Sequence, residues 1–569
     1  MKKEILIIFK THLDIGFTDY SENIIKRYIE EYIPNAIRVG YELKGTSTPF
    51  VWTVGSWLVN EALKNDKDGT VEKAVRDGII NWHGLPFTTH TELMSKELFE
   101  YGLDISKQLD IRFGRKTVAA KMTDVPGHTI SIVPLMQNSG INFLHIGVNP
   151  ATPLPPVPPI FKWKYEDNEI TVMYEGDYGE VAEFEDFILY FAHTGDNNGP
   201  QSANEIVELY NKIQAEYPDC VLKAATLNDV ATRIQNIKNL PVIDKEIGDT
   251  WIHGAGTDPQ KVSRFKRVLR YIKENGKNAD FSDNLLLVPE HTWGMDVKTF
   301  FHDTEHFTHT DLEALRNKST IEKSWQEQRN YVARAENLLG IGTDYNTDKP
   351  DLSLWTETEL PTEINFELFW QIFDNSDYLR YKETYMRSTV DWAIWDFTKV
   401  GLPDYKGGIY SANVKKAYKC KEDTLFRLEF DKDISEKFGL PYFYAKISEG
   451  FVEIKWFDKK ASRFPQACWF KIKGYDQAIE LCKMGKWIKA ENVLGSPLIC
   501  AAESVRNGNT IIEPLDSALV CPFGKRLLQY NVKEVAEDLH FNLYNNIWNT
   551  NFPMWYSDDA VFRFAIKKQ

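Results

Sequence analysis

Three features that would assign a protein class at once are missing from this sequence. No run of 18 or more apolar residues occurs in the 569 residues, so we expect no membrane-spanning helix. The six cysteines form no C-x-x-C pair, and five follow residue 400, which argues against a structural zinc site built on thiolates. EILIIF, residues 4–9, is too short for a signal peptide, and no small-residue cleavage site follows it. We therefore expect a protein that is cytoplasmic, or exported with its signal already removed.

An excess of positive charge is missing as well. The chain has 67 Lys and Arg against 82 Asp and Glu, a net charge of −15. Nucleic acids and anionic membranes need clustered basic residues, so we expect neither as a partner. Aromatic residues make up 13% of the chain, and their flat apolar faces suit sugar rings as well as protein cores. Oligomeric state and the pairing of the C-terminal cysteines stay open.

The pattern of apolar and polar residues changes twice along the chain. Residues 1–260 alternate short apolar runs with amphipathic stretches, which predicts a parallel sheet or a barrel-like α/β domain. Residues 261–397 are predicted to be helical, including FELFWQIFDNSDYLRYKETYMRSTVDWAIWDF at 366–397. Residues 398–569 carry short β-type runs between polar turns, which predicts an antiparallel β-sandwich. The fold class is therefore a multidomain α/β, α and β arrangement.

The first predicted strand ends in T-H-L-D-I-G. His12 and Asp14 are two positions apart, so their side chains project to the same side of the strand. An imidazole nitrogen and a carboxylate oxygen on one side are two ligands for a divalent ion such as zinc. Taken alone, the pair also fits a chance H-x-D in a polar loop.

A second cluster, M-T-D-V-P-G-H-T at 122–129, follows another predicted strand. Asp124 stands at the strand end, and Gly127 permits a tight turn there. An aspartate before a helix is also a common N-cap. His128 is expected to orient Asp124 or its loop.

Three further stretches place polar groups among apolar residues in predicted loops. Each also fits an ordinary turn or helix cap, so none is specific on its own. They are H-T-G-D-N-N-G-P at 193–200, W-I-H-G-A-G-T-D at 251–258 and L-V-P-E-H-T-W-G-M-D at 287–296.

The order of these five motifs resembles glycoside hydrolase family 38, the zinc-dependent retaining α-mannosidases. The family opens with H-x-D on its first strand, where this chain has H-L-D-I-G-F. Its nucleophile motif is D-x-F-G-H, and D-V-P-G-H at 124–128 is similar, with Pro in the Phe position. P-E-H-T-W-G-M-D resembles the motif of the last zinc histidine, with Thr292 replacing an Asp. The resemblance covers residues 1–345 and implies a seven-stranded β/α barrel with a shortened C-terminal region.

The resemblance implies a zinc-dependent exo-glycoside hydrolase, α-mannosidase-like, with a carbohydrate substrate. The nucleophile would be Asp124, which would form a covalent glycosyl-enzyme, and hydrolysis would retain the anomeric configuration. The implied zinc ligands are His12, Asp14, Asp124 and His291, an N/O set typical of catalytic zinc. Candidate substrate contacts near the motifs are Phe17, Trp57, His253 and Trp293, and packing explains the three aromatic residues at least as well.

The acid/base is where the chain departs from the family, which carries G-D-D or G-D-G-G-G-G-P where this chain has G-D-N-N-G-P. Asp196 is the candidate, whereas a one-residue shift would put Asn197 there, and an amide cannot transfer a proton. Fallback candidates are Glu175, Asp177 and Asp258.

Two alternatives follow from these departures. The first is a zinc-dependent carbohydrate deacetylase, in which Asp and His ligands activate a water. The second is a carbohydrate-binding relative without catalysis, which would keep the cleft and lack the acid. Turnover of activated α-glycosides, acetate release, or sugar binding without turnover separates the three hypotheses.

Overall fold

A computed structural model describes residues 2–316, 319–475, 478–495, 499–522, 527–530 and 538–568. Together they form a mixed α/β structure with several sheets, which confirms the coarse fold class. Over these ranges, every helix is too short or too polar to cross a bilayer. The cysteines in the described residues form no disulfide.

The N-terminal part begins with alternating strands and helices, as the sequence predicts, and then has five strands in succession within residues 143–196. The first strand covers EILIIF and continues to His12, and the predicted strand before Asp124 ends at that residue. The strands are β1 (Glu4–His12), β2 (Trp52–Gly55), β3 (Ile80–His83), β4 (Ala119–Asp124), β5 (Phe143–Val148), β6 (Ile160–Tyr165), β7 (Asn168–Glu175), β8 (Ala182–Glu183), β9 (Phe187–Asp196), β10 (Val221–Ala224), β11 (Val242–Ile243) and β12 (Glu246–Gly248). The helices are α1 (Ser21–Arg27), α2 (Ile33–Leu43), α3 (Ser56–Lys64), α4 (Thr70–Arg76), α5 (Lys96–Phe113), α6 (Ile132–Asn138), α7 (Ala203–Glu216) and α8 (Leu227–Ile234).

Most of these strands run parallel, in two sheets. In the first sheet, β1 pairs with β9 on one side and with β2 and β10 on the other. In the second, β5 lies between β4 and β7, all parallel, and β6 joins β7 antiparallel. A backbone hydrogen bond from Gly84 N to the Ala119 carbonyl joins the end of β3 to β4. The closed seven-stranded barrel itself stays a prediction.

The middle of the chain is mainly helical, with one correction. The segment FELFWQI was predicted to be helical, but it forms a strand that pairs antiparallel with Gln466–Ile472. The following helix begins only after Asp374, whose side chain and that of Asp377 form a capping box. The elements are α9 (Pro259–Asn275), α10 (Ala279–Leu286), α11 (Val297–Phe300), α12 (His309–Arg316), α13 (Ile321–Leu339), β13 (Thr356–Thr358), β14 (Phe366–Ile372), α14 (Asn375–Tyr385) and α15 (Asp391–Phe397).

The C-terminal part consists mainly of two antiparallel sheets, as the short β-type runs predict. Aromatic rings of one sheet contact those of the other, for example Phe470 and Phe564 at 4.8 Å between centroids. The sandwich and the three domain boundaries stay predictions. The elements are β15 (Gly408–Ser411), β16 (Asn413–Cys420), β17 (Asp423–Glu429), α16 (Lys432–Phe438), β18 (Tyr442–Ser448), β19 (Phe451–Phe457), β20 (Gln466–Ile472), β21 (Ile479–Lys483), β22 (Lys486–Lys489), β23 (Val493–Gly495), β24 (Cys500–Ala501), β25 (Ser504–Asn507), β26 (Thr510–Pro514), β27 (Leu519–Cys521), β28 (Leu539–Asn545) and β29 (Ala560–Lys568).

Candidate active site

Three side chains from distant parts of the chain meet at the carboxyl end of β1. His12 is the last residue of that strand, Asp14 follows it, and His291 comes from the loop before α11. His12 and His291 are 279 residues apart in sequence, yet their Nε2 atoms lie 3.0 Å apart. All three side chains are buried. The convergence joins the first and last motifs that the sequence singled out.

The distances within this group fit one small cation. Asp14 Oδ1 lies 3.2 Å from His12 Nε2 and 2.9 Å from His291 Nε2. Four ligands at zinc distances of 2.0–2.2 Å are separated by roughly 3.3–3.6 Å in a tetrahedron. The second oxygen of Asp14 has no hydrogen-bond partner among the described residues. The donor atoms thus fit one face of a zinc site.

Asp124 stands beside this group rather than within it. Its Oδ2 lies 3.6 Å from His291 Nε2, whereas the tight group, with donor atoms all within 4.8 Å, contains only the other three residues. Its Oδ1 accepts hydrogen bonds from Tyr178 Oη at 2.9 Å and Asn149 Nδ2 at 3.0 Å. One oxygen is therefore fixed by neutral donors while the other faces His291.

Glu290 supports His291 from the side away from the metal site. Its Oε1 forms a charge contact with His291 Nδ1 at 2.6 Å, outside hydrogen-bond geometry, and its Oε2 accepts the backbone N–H of Thr292 at 3.0 Å. Both carboxylate and imidazole are almost fully buried. A carboxylate behind a ligating histidine fixes the ring and increases its basicity.

The G-D-N-N-G-P motif lies next to the same group. The register of β1 and β9 sets Asp196 opposite His12, after a bulge. Burial, and then the negative charge of Asp14, raise the pKa of Asp196 to about 6. Asp196 Oδ1 has no hydrogen-bond partner among the described residues.

Asn197, the alternative at that position, has a structural role. Its Oδ1 accepts the backbone N–H of Asp14, and its Nδ2 donates to the Gly16 carbonyl, both at 3.0 Å. The amide therefore fixes the loop after β1, and Asp196 is the member of the motif that stays available.

The three fallback acids have other partners. Glu175 lies 2.8 Å from His145 Nε2, and Asp258 caps α9 and pairs with Arg329 at 2.7 Å. The Asp177 side chain is 52% exposed and lies 4.0 Å from Arg387. None of these contacts is with the metal-site residues.

Of the four predicted substrate contacts, one is half-buried and three are buried. Phe17 is half-buried in the loop after β1, and Lys298 Nζ lies 5.0 Å from its ring centroid. Trp57 packs in the core against Phe87, with ring centroids 5.6 Å apart. His253 and Trp293 are fully buried near the loop that contains Phe552, which contacts the Trp293 ring.

Comparison with solved structures finds the same overall fold in two proteins from Enterococcus faecalis. One is an alpha-mannosidase from Enterococcus faecalis V583, with a TM-score of 0.59 and 11% identity over 100% of this chain and 87% of that protein. The other is a protein in the glycosyl hydrolase family 38, with a TM-score of 0.57 and 10% identity over 100% and 86%. At this identity the likeness concerns the fold alone.

Sequence comparison adds one local match. Residues 255–348 match a family model described as a domain of unknown function, DUF5054. That segment contains Glu290 and His291. No curated protein is significantly similar in sequence.

Proposed function

We propose that the protein is a zinc-dependent retaining exo-glycoside hydrolase of α-mannosidase type. The observation that carries this proposal is the meeting of His12, Asp14 and His291 beside a carboxylate, Asp124, whose other oxygen is held by neutral donors. The shared fold with an alpha-mannosidase supports the choice of reaction and of sugar.

The ligand set of this proposal is His12, Asp14 and His291, with Asp124 as the fourth member. Zinc in this position would bind two neighbouring hydroxyls of the sugar and keep the carboxylates beside it ionised. His12 and His291 are held for this role by the strand end and by Glu290. Mixed N/O donors are typical of catalytic zinc.

Asp124 is the proposed nucleophile. Its carboxylate attacks the anomeric carbon as the bond to the leaving oxygen breaks, and the sugar becomes an ester of Asp124. Tyr178 and Asn149 hold the carboxylate in one orientation, which favours attack on a fixed carbon.

Asp196 is the proposed acid/base. In the first step it gives its proton to the leaving oxygen, and in the second it takes a proton from the water that cleaves the ester. Its raised pKa suits a carboxyl that must carry a proton near neutral pH. Its free Oδ1 and its register beside His12 support this role over that of Asn197.

A panel of aryl α-glycosides, assayed with and without a chelator, tests the proposal. We expect turnover of the α-mannoside, loss of turnover with the chelator, and recovery with zinc. Asp124→Asn should abolish turnover, whereas Asp219→Asn, at an exposed acid outside the five motifs, should leave it unchanged. If the protein turns over no glycoside but binds sugars, or releases acetate from N-acetylated sugars, the proposal is wrong.

A further inference from the structure

A buried cavity lies beside the candidate metal site, at the carboxyl ends of four neighbouring strands. It has about 40 Å³ of space for the centres of water-sized atoms. Roughly 10–15 Å³ of such space suffices for one water, so the cavity has room for a small polyatomic group. Its polar walls come from the ends of β1 to β4: Lys10, His12, Thr53, His83, Lys121 and Thr123.

Several donors in this wall lack a protein partner. The amino group of Lys10 is buried, with the residue 3% exposed, and makes no hydrogen bond within the described residues. Burial, opposed by the charge of Asp196, lowers the pKa of Lys10 to about 7, so an anion in the cavity would favour its charged form. Thr53 Oγ1 and His83 Nδ1 are also buried without a partner. Burying a polar group without a hydrogen bond is unfavourable, and a buried ammonium is far more so. The cavity therefore has unmet capacity to donate to a ligand.

Lys121 adds a second basic group, whose pKa burial lowers well below its usual value. It is 5% exposed, its Nζ lies 2.6 Å from His145 Nδ1, and it donates to the Tyr178 carbonyl at 3.0 Å. Burial, and then the charges of Lys121 and Lys10, lower the pKa of His83 to about 3. Both ammonium groups therefore act on the ring of His83, at the end of β3.

Negative charge is absent from this wall. The described residues that line the cavity include two lysines, two histidines and four threonines, and no aspartate or glutamate. Two acids act on the lysines from outside the wall: Asp196 on Lys10, and Glu175, which lies 2.8 Å from His145 Nε2, on Lys121. A cavity with cations, hydroxyls and no carboxylate is complementary to an anion.

We propose that this cavity binds a small oxyanion, with Lys10, Lys121 and Thr53 as its donors. The bound oxyanion is either a free inorganic ion, such as phosphate or sulfate, or an anionic substituent on the sugar. Both present the same charged oxygens to the cavity. His12 lines both the cavity and the metal site, so an anionic substituent lies within reach of a sugar held there. This second source rests on the proposed glycosidase function.

Calorimetric titration with inorganic phosphate tests the site without relying on catalysis. In a zwitterionic buffer free of inorganic oxyanions, we expect one phosphate to bind per chain and at least ten-fold weaker binding in Lys10→Met. Lys26→Met removes the same charge from an exposed position, 68% accessible, and should bind as the wild type does. Phosphate and sulfate that fail to bind, or that bind Lys10→Met equally well, overturn the proposal.

Two further variants keep the result unambiguous. Phosphate that still binds Lys10→Met but not His291→Asn belongs to the metal centre, which also overturns the proposal. Thr53→Val removes one hydroxyl donor at nearly constant volume and should weaken phosphate binding several-fold. It replaces Lys10→Met as the decisive variant if that protein does not fold.

Kinetics with a neutral aryl α-glycoside and its phosphorylated counterpart separate the two sources. If the substrate supplies the anion, its phosphorylated form should have a KM at least ten-fold lower, this gain should vanish in Lys10→Met, and phosphate should compete with it. If the anion is free, the two substrates should have the same KM while phosphate still binds through Lys10. If no glycoside is turned over, the proposed function fails, and the calorimetric result still decides the oxyanion site.

Discussion

Asp124 has a left-handed backbone conformation, with φ of 81°. For a residue with a Cβ, such a conformation costs about 1–3 kcal/mol and persists where neighbours fix it. Here the Asp124 carbonyl accepts the N–H of Asn149 at 3.0 Å, and the carboxylate accepts the Asn149 side-chain amide and the Tyr178 hydroxyl. In this backbone conformation the carboxylate points out of the strand, and its Oδ2 lies 3.6 Å from His291 Nε2.

Glu290 offers a test of the metal site at a single side chain. Glu290→Gln removes the carboxylate charge behind His291 but keeps an oxygen for the Thr292 N–H. We expect zinc affinity to fall by about 10–100-fold, because partners behind a ligand tune its basicity and orientation. Competition with a fluorescent zinc chelator measures this change. Glu327→Gln, which alters a half-buried glutamate elsewhere, should bind zinc as the wild type does, and equal affinity in both variants would contradict the assignment.

Asp249 predicts a pH dependence of stability. It is buried and accepts the Trp251 N–H and the Tyr385 hydroxyl, and burial raises its pKa to about 7. Between about pH 4 and pH 7 the unfolded chain loses this proton while the folded chain keeps it, so stability falls as pH rises.

Asp249→Asn has no proton to lose at this position. At about 1.4 kcal/mol per pH unit, we expect the loss of unfolding free energy between pH 5 and pH 8 to be about 2–3 kcal/mol smaller than in the wild type. Urea unfolding at the two pH values measures it. The exposed variant Asp219→Asn should keep the wild-type slope, and an unchanged slope in Asp249→Asn would sink the prediction.

At the residue scale, the motifs single out the side chains that converge at the candidate site, but they do not single out the residues that hydrogen-bond or contact those side chains. His12, Asp14 and His291 lie close together, and each belongs to a motif that the sequence marks by its residue types. Tyr178 and Asn149 belong to no motif, since a hydroxyl or amide brought in by a loop has no spacing that marks it. Glu290 precedes His291 directly, and that E-H pair is the one signal that could have assigned its role.

At the element scale, a short strand joins the loop after Asp124 to the C-terminal part of the chain. β12 pairs in parallel with β23, and the Ile247 carbonyl accepts the N–H of His128 in the D-V-P-G-H loop. Glu246 of β12 accepts the Thr129 hydroxyl and the Ile130 N–H. The loop after Asp124 is thus held by an element that the C-terminal part positions.

Lys483, at the end of β21, fixes this connection by charge. Its Nζ lies 2.5 Å from Glu92 Oε2 and 3.3 Å from Glu246 Oε2, and all three side chains are at most 5% exposed. Removing one member of a buried ionic group leaves uncompensated charge, so we expect Lys483→Met to lower the unfolding free energy by about 3–5 kcal/mol.

Chemical denaturation measures the effect, and the same hairpin supplies a control. Lys486 is 40% exposed and lies 3.3 Å from Glu166, so Lys486→Met should change stability by about 0–1 kcal/mol. Adding Glu92→Gln to Lys483→Met should restore part of the loss, because it removes one of the stranded carboxylates. Equal stability of the two single lysine variants would show that the buried group contributes nothing.

A helix or strand can be predicted from the sequence where its local apolar pattern fits only one of the two. β14 is a segment where the pattern fits both. FELFWQI has apolar residues that suit a helix face as well as a strand buried on both sides. The segment forms a strand because it pairs with β20, about a hundred residues later in the chain. The local pattern of apolar residues carries no information about that pairing. Most strands of the N-terminal part can be predicted because they are short apolar runs before a polar turn, whereas β8, β11 and β12 have only two or three residues and show no such run.

At the scale of the whole molecule, the candidate site joins the two ends of a long stretch of chain. His12 and Asp14 stand at the end of the first strand, whereas His291 stands in the loop after α9 and α10. The motif order predicts these members, but their meeting depends on the packing of every element between them. A ligand held by all three would bind the folded chain and not the unfolded one.

Zinc should therefore stabilise the whole fold by mass action. At free zinc one hundred times above its dissociation constant, the gain is about 2.7 kcal/mol and grows with the logarithm of zinc concentration. We expect the melting temperature to fall on treatment with EDTA, to recover with zinc, and to rise steadily as zinc is added. His291→Asn should melt at the same temperature with and without zinc, because it removes a member that joins the distant segments. A wild-type protein whose melting ignores both EDTA and zinc would mean that the three buried donors hold no metal, since any ion bound by the native state alone must shift that equilibrium.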